Sequence, residues 1–195
     1  MMVRAGDTVG PHGRYQLEKS LGEGGMGYVF RAVDTKLKRN VAIKFMRSEY
    51  CKLDEGWSRF KREARALAAF NHPSLPKLYS ISLKERPPYI VQEYLKGEDL
   101  GSKLMASETL SPKEARQLLR EMAQALATIH DEGLLHRDIK PANVFLEDSG
   151  HYKLMDFGLA RYSDATTVTQ EGDLIGSIIY LPYEVITGES FSQAS

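Results

Sequence analysis

The chain of 195 residues has a single cysteine, Cys51, and a single tryptophan, Trp57. One thiol cannot form an internal disulfide, so a cross-linked secreted scaffold is excluded and a reducing compartment fits. No stretch approaches the roughly 18 apolar residues of a membrane helix. Met1 to Gly10 holds no apolar core that could serve a signal peptide. These absences predict a cytoplasmic segment with no membrane partner. Charge of either sign is also not in excess: Lys+Arg 26 against Asp+Glu 26 gives a formal net charge of +0. Bulk electrostatics therefore gives no basis for a nucleic-acid partner. There is no internal repeat and no low-complexity tract. What remains is a hydrophobic fraction of 42% beside a charged fraction of 27%, the balance of one ordinary globular domain.

The first half reads mainly as strands. Tyr15 to Leu21 leads into a glycine-rich turn, Gly22 to Gly27, and Tyr28 to Val33 follows. Charged residues from Asp34 to Arg39 mark a hairpin tip, and Val41 to Met46 is a further β-prone run. From Asp54 to Phe70 the pattern turns helical, with Trp57, Phe60, Ala64 and Leu67 at spacings of three and four, until Asn71-His72-Pro73 stops it. Strand-like runs return at Lys77 to Leu83 and Tyr89 to Tyr94, and a boundary falls near Lys96-Gly97. The second half opens with a helix. Ser111-Pro112-Lys113-Glu114 combines an N-cap serine, a proline at the first helical position and a capping-box glutamate. Leu118, Leu119, Met122, Leu126 and Ile129 form its apolar stripe, and Gly133 its stop. Short β-prone pieces follow at Asn143 to Leu146 and His151 to Met155.

Gly22-Glu23-Gly24-Gly25-Met26-Gly27 fits G-x-G-x-x-G, a pattern that chance produces in about one chain in ten of this composition. A dinucleotide-binding turn needs a helix after the glycines. Here a strand-like run follows, which leaves a hairpin whose backbone N–H groups can cover phosphates. No Lys-Ser/Thr pair ends the run, so a Walker loop is excluded. Lys44 lies inside the apolar run Val-Ala-Ile-Lys-Phe-Met, and Glu63 lies 19 residues further on in the helical stretch. A solvated strand lysine and a surface glutamate would account for each alone; a pair would hold the ammonium ready for α- and β-phosphates. The most specific segment is His136-Arg137-Asp138-Ile139-Lys140-Pro141-Ala142-Asn143, which matches H-R-D-x-x-x-x-N throughout. Asp156-Phe157-Gly158 arrives 13 residues after Asn143. A hairpin between the two would bring Asn143 and Asp156 together around Mg²⁺.

Read together, L-G-E-G-G-M-G-Y-V, V-A-I-K, H-R-D-I-K-P-A-N and D-F-G stand in the order of the eukaryotic-type serine/threonine protein kinases, and the chain resembles the bacterial branch of that family from about Tyr15 onward. The resemblance implies an α+β fold of two lobes. Residues 15–95 would be an antiparallel ATP-binding lobe with one main helix, preceded by an extension at 1–14. Residues 96–195 would be a partial, mostly helical catalytic lobe. It implies that Leu21, Gly22, Gly24, Gly27 and Val29 cover ATP, that Ala42 packs near adenine, and that Lys44 pairs with Glu63. Glu93 to Leu95 would be the hinge, with Gln92 guarding the pocket behind it. Asp138 would be the base or orienting carboxylate, and Lys140 would steady the γ-phosphate. Asn143 and Asp156 would hold Mg²⁺. The implied activity is transfer from MgATP to serine or threonine hydroxyls of protein substrates. The alternative is a nucleotide-binding but inactive pseudokinase-like fragment that acts by interaction. A small-molecule kinase fits less well, because Lys140 is the serine/threonine form.

Two departures from the family stand out. Its Ala-Pro-Glu reads Pro182-Tyr183-Glu184 here, and Ser177 replaces the usual threonine. Ser195 falls about where the next long core helix of the family would begin, so the stripe from Leu118 to Ile129 is expected to lack partners. Ser163, Thr166, Thr167 and Thr169 lie between Asp156 and Glu184. Phosphate on the threonine cluster, delivered through a kinase–kinase contact, is expected to pair with Arg137.

Overall fold

A computed structural model describes residues 3–24, 27–47, 61, 68, 70–107, 109–156, 180–188 and 192. Its backbone divides into two compact units, one of residues 1–69 with 77–95, the other of 70–76 with 96–195. Within the first unit, residues of alternating character produce long strands. β1 (Thr8–Val9), β2 (Tyr15–Gly24), β3 (Gly27–Asp34), β4 (Arg39–Met46), β5 (Leu78–Ser82) and β6 (Tyr89–Glu93) form one antiparallel sheet in the order β1-β2-β3-β4-β6-β5. Side chains two apart share a face. Tyr28, Phe30 and Ala32 of β3 therefore join Val41, Ile43 and Phe45 of β4 and Tyr89 and Val91 of β6 in one buried cluster, closed by Val3, Tyr15 and Leu17. Tyr28 stacks on Phe45 at 5.4 Å between ring centroids, and Phe30 meets Phe45 edge-on at 6.2 Å. Such offset and edge arrangements suit the ring quadrupoles and add to the area buried. The segment from Val3 to Arg14 is tied into this sheet. Thr8 pairs with Gln16, the Gly6 N–H donates to the Leu17 carbonyl, and Val3 is buried.

The hairpin tip between β3 and β4 is built on a buried carboxylate that composition alone did not reveal. Asp34 is fully buried and takes a two-pronged bond from Arg14, Nε to Oδ1 at 3.0 Å and Nη2 to Oδ2 at 2.6 Å. Its Oδ1 also accepts the backbone N–H groups of Lys36 and Leu37, each at 3.1 Å. The Arg14 bond, with burial opposing it, holds the Asp34 carboxyl below its usual range. Asp34→Ala leaves four N–H donors without their acceptor and is expected to cost about 2 kcal/mol of stability, read as a lower denaturant midpoint with unchanged slope. A midpoint equal to that of the parent would show that the tip does not depend on this carboxylate.

In the second unit, β7 (Gly97–Asp99), β8 (Val144–Glu147) and β9 (Tyr152–Leu154) make a small antiparallel sheet in that order. Two helices accompany it, α1 (Leu100–Ser107) and α2 (Pro112–Asp131), and α3 (Tyr183–Ile186) is a single turn. The capping signals of α2 act as the sequence predicts. Ser111 Oγ accepts the Glu114 N–H, and Glu114 Oε2 accepts the Ser111 N–H. At the other end Gly133, at φ +70°, donates to the His130 carbonyl while the Leu134 N–H donates to the Ile129 carbonyl. This paired closure needs a left-handed residue, which glycine supplies without a Cβ penalty.

The buried seam of α2 runs along Glu121, Ala125 and Ile129, not along the centre of the expected stripe. Leu118, Met122 and Leu126 are half-buried at its flank, and Leu119 is 71% exposed. A glutamate occupying the seam rotates the burial pattern away from the leucines. The helix expected over Asp54 to Phe70 lies almost entirely outside the described residues; only Lys61 and Ala68 are described there, both helical. Phe70 to Pro76, which includes the expected Asn71-His72-Pro73 stop signal, belongs to the second unit. The α+β expectation holds, with an antiparallel sheet first and the longer described helices after it. Among the described residues no helix is long and apolar enough to cross a membrane.

Candidate active site

In the first unit, the strand register gathers four of the expected nucleotide residues, Gly22, Val29, Ala42 and Lys44, on one face. Gly22 stands opposite Val29, Val29 opposite Lys44, and Lys44 opposite Ile90, so four strands contribute to a single rung. The next rung of that face carries Arg31, Ala42 and Gln92. Directly opposed residues point the same way, and their chain neighbours Tyr28, Phe30, Ile43 and Phe45 point into the aromatic cluster. Val29, Ala42 and Lys44 therefore share the face opposite that cluster. Leu21 is the extra residue of a bulge between Ser20 and Gly22 and is 42% exposed. The glycines expected to form a turn belong mostly to strands: Gly24 pairs with Gly27, and only residues 25 and 26 between them lie outside the described residues. Gly22 and Gly27 differ in what they permit. A Cβ on Gly27 would come within 1.9 Å of the Phe45 carbonyl oxygen, whereas one on Gly22 would meet nothing within 4 Å.

At the end of this unit, the Glu93 N–H donates to the Lys77 carbonyl at 2.8 Å, and Glu93 Oε2 accepts the Lys77 N–H at 3.2 Å. Leu95 is buried at 9% exposure. Glu63 lies outside the described residues, and with it the expected Lys44–Glu63 pair.

In the second unit, the loop after α2 folds around Asp138. Asn143 Nδ2 donates to both the Asp138 carbonyl, at 2.7 Å, and Asp138 Oδ2, at 2.8 Å. Lys140 Nζ lies 2.9 Å from the same Oδ2. The two amide protons of Asn143 are thereby committed, which fixes the amide orientation and leaves Oδ1 as its remaining acceptor. A one-turn 3-10 helix, Pro141–Asn143, gives the loop its tight return, with the Asn143 N–H bonded to the Lys140 carbonyl. The Met155 N–H donates to the Asn143 carbonyl at 2.7 Å, so Asp156 follows directly on a bond to Asn143. The 13-residue spacing thus closes through β8 and β9 as the sequence predicts. Asp156 is exposed at φ +48°, and Arg137 has φ +69°. Left-handed backbone at a non-glycine residue costs on the order of 1 kcal/mol, less for aspartate, and such residues concentrate where a side chain must be aimed.

His136 closes the other side. It is 2% exposed, and its Nε2 bonds the Met155 carbonyl at 2.9 Å. Burial pushes its pKa below the ordinary 6.5, although the Met155 bond and the carboxylates of Asp138 and Asp156 oppose the shift. The sign follows. The unfolded chain takes up a proton near pH 6.5 and the folded chain does not, so stability falls as pH drops below that value and levels only beneath the lowered folded pKa. The carboxylates with lowered pKa, Asp34, Glu114 and Glu121, begin to cost stability only nearer their ordinary 3.8 to 4.5. We expect the urea midpoint to decline between pH 7 and 5 and the decline to be shallower in His136→Gln. Equal slopes for parent and variant would contradict this assignment.

Two contributors were not singled out in the sequence. Ser74, 4% exposed, accepts the Leu154 N–H on its carbonyl at 2.9 Å, so the Asn71–Pro76 stretch braces β9. Glu121, 6% exposed on α2, accepts the Tyr152 N–H on Oε2 at 2.7 Å; its Oε1 is 3.0 Å from both His151 Nδ1 and Gln117 Nε2. Burial would raise its pKa, but these bonds outweigh burial and hold it below the usual range. A charged residue at the i, i+4, i+8 seam of an amphipathic helix was the signal in the sequence. Residues 157–179 lie outside the described residues, and with them Phe157, Gly158, Ser177 and the expected phosphorylation cluster. Pro182 opens α3, its carbonyl accepting the Val185 and Ile186 N–H groups at 3.1 Å each.

The family pattern described as "Protein kinase domain" matches residues 15–195. Serine/threonine-protein kinase PknA of Mycobacterium tuberculosis is 38% identical over 200 residues, covering 100% of this chain and 46% of the relative. Serine/threonine-protein kinase PrkC of Bacillus subtilis is 38% identical over 176 residues, 90% of this chain and 27% of the relative. A probable serine/threonine-protein kinase PknB of Bifidobacterium longum is 39% identical over 194 residues, 94% of this chain and 28% of the relative. The chain therefore spans less than half the length of these relatives.

Proposed function

The chain belongs to the protein kinase family, and from that premise we propose that it transfers the γ-phosphate of MgATP to serine and threonine hydroxyls of protein substrates. The observation that carries the reading is the set of bonds around Asp138. One carboxylate oxygen is held by Lys140 and Asn143 together, while the hairpin bonded to Asn143 delivers Asp156.

Phosphoryl transfer asks for positioning and charge neutralisation more than covalent chemistry. In the first unit Gly22, Gly24 and Gly27 offer backbone N–H groups to phosphates, Val29 and Ala42 offer apolar contact to the base, and Lys44 offers its ammonium to the α- and β-phosphates. Glu93 and Leu95 offer backbone groups to the adenine edge. In the second unit the free oxygen of Asp138 accepts the substrate hydroxyl proton, and Lys140 neutralises charge developing on the transferred group. Asn143 Oδ1 and the Asp156 carboxylate are hard oxygen donors of the kind Mg²⁺ takes, few in number, as suits an ion that keeps waters and phosphate oxygens in its shell. When bound, that ion supplies charge neutralisation between the phosphates. Cytoplasmic location, protein substrates and autophosphorylation between two copies follow from the same reading.

Titration calorimetry of the folded chain tests the nucleotide part. ATP with Mg²⁺ is expected to give saturable one-to-one binding, weakened when Mg²⁺ is withheld. Absence of heat in a chain with a cooperative melt would overturn it.

A further inference from the structure

We infer that Glu121 is a positioning residue for the metal-binding pair, acting through the β8–β9 hairpin that carries Asn143 at one end and Asp156 at the other; this rests on the nucleotide reading above. The hairpin is short, four residues in β8 and three in β9. Ribbons of this size hold no fixed place without outside anchors. At the site end it is fixed by the Met155–Asn143 and His136–Met155 bonds. At the turn end β8 is held by β7, with Gly97 opposite Glu147 and the Asp148 N–H on the Lys96 carbonyl at 2.8 Å, while the anchoring of the outer strand β9 falls to α2. Glu121 takes the Tyr152 N–H on one oxygen and His151 on the other, and Gln117 bridges Glu121 Oε1 to the Gly150 carbonyl at 2.8 Å. Three consecutive residues, 150 to 152, are thus fastened to one helix turn.

A buried carboxylate is an expensive way to add stability, since an apolar side chain of similar volume would often serve as well. What the carboxylate adds is direction. It accepts a backbone N–H at a fixed angle and sets how far the hairpin slides along α2. Tyr152 faces Leu146 in the ladder, and Val144, next to Asn143, faces Leu154, two residues before Asp156. A shift at Tyr152 therefore reaches both metal-binding residues through a few rigid rungs.

The test compares nucleotide affinity with and without Mg²⁺ on the whole chain, for the parent, Glu121→Ala and Glu121→Gln. Removing an outer support of a metal site commonly costs about tenfold in affinity. We expect Glu121→Ala to lose about tenfold of the Mg²⁺ enhancement while Mg²⁺-free ATP affinity, carried by the first unit, stays within about twofold. Glu121→Gln keeps an acceptor for the Tyr152 N–H and should lose less. A merely structural role would lower the melting temperature without changing the ratio of the two affinities in folded protein. Undiminished Mg²⁺ enhancement in folded Glu121→Ala overturns the inference alone. If that variant does not fold, parent-like enhancement together with a parent-like Tyr152 amide exchange rate in Glu121→Gln supports it, and parent-like enhancement with a freely exchanging Tyr152 amide overturns it. No Mg²⁺ enhancement in the parent overturns the nucleotide reading and this inference with it.

Discussion

Asp138→Asn is expected to lower the rate of phosphotransfer by about a thousandfold, or roughly 4 kcal/mol in the barrier, while changing MgATP affinity by no more than about threefold. The asymmetry comes from what the side chain touches. Its Oδ2 is held by Lys140 and Asn143, and its backbone carbonyl, which the substitution leaves in place, accepts the second Asn143 proton. Asparagine keeps the size and can keep one acceptor, but it cannot take the hydroxyl proton and no longer balances the Lys140 charge. Steady-state transfer and calorimetry on the same preparation separate the two effects. A rate within tenfold of the parent, or a parallel collapse of affinity, would show that Asp138 holds the nucleotide rather than the acceptor hydroxyl.

The second large effect separates two glycines of one motif. Gly27→Ala drives a Cβ to within 1.9 Å of the Phe45 carbonyl oxygen, a backbone atom that can yield only if β3 and β4 part. We expect a cost of about 3 kcal/mol, the upper range for overpacking a well-filled site, and a correspondingly lower melting temperature. Gly22→Ala meets no atom of the chain within 4 Å and should melt at or slightly above the parent temperature. Its effect should fall on nucleotide binding, with about a tenfold loss, the equivalent of one bond to a charged oxygen. Stability thus accounts for one glycine and ligand access for the other. Equal destabilisation by both, or an unchanged MgATP affinity in Gly22→Ala, would contradict this division.

Much of the fold was legible because its determinants are local. The β-prone runs Tyr28 to Val33 and Val41 to Met46 specify strands; β3 buries alternate residues most deeply, whereas β4 from Val41 to Met46 is buried on both faces except at Lys44. Ser111, Pro112, Glu114 and Gly133 bracket a helix whose caps are as predicted. The loop from His136 to Asn143 was legible as a motif, since residue type and spacing together define it. What the sequence hid was set by contacts distant along the chain. Nothing near Glu121 announces that its partner is the Tyr152 N–H, 31 residues on, and five apolar residues at helical spacing outweighed one glutamate in locating the seam. The Arg14–Asp34 pair spans 20 residues and was hidden for the same reason, as was the bond from Leu154 to Ser74. Strand pairing also pulled the glycines out of the expected turn, because the β2–β3 ladder continues to Gly24 and Gly27.

The most direct test of the central claim is transfer of labelled γ-phosphate from ATP to a mixture of unstructured protein substrates, followed by phosphoamino-acid analysis. The folded chain should produce phosphoserine and phosphothreonine only when Mg²⁺ is present, and Asp138→Asn should abolish the signal while still binding MgATP. A folded chain that binds MgATP yet transfers no label to serine or threonine would contradict the claim and leave a nucleotide-binding interaction module in its place.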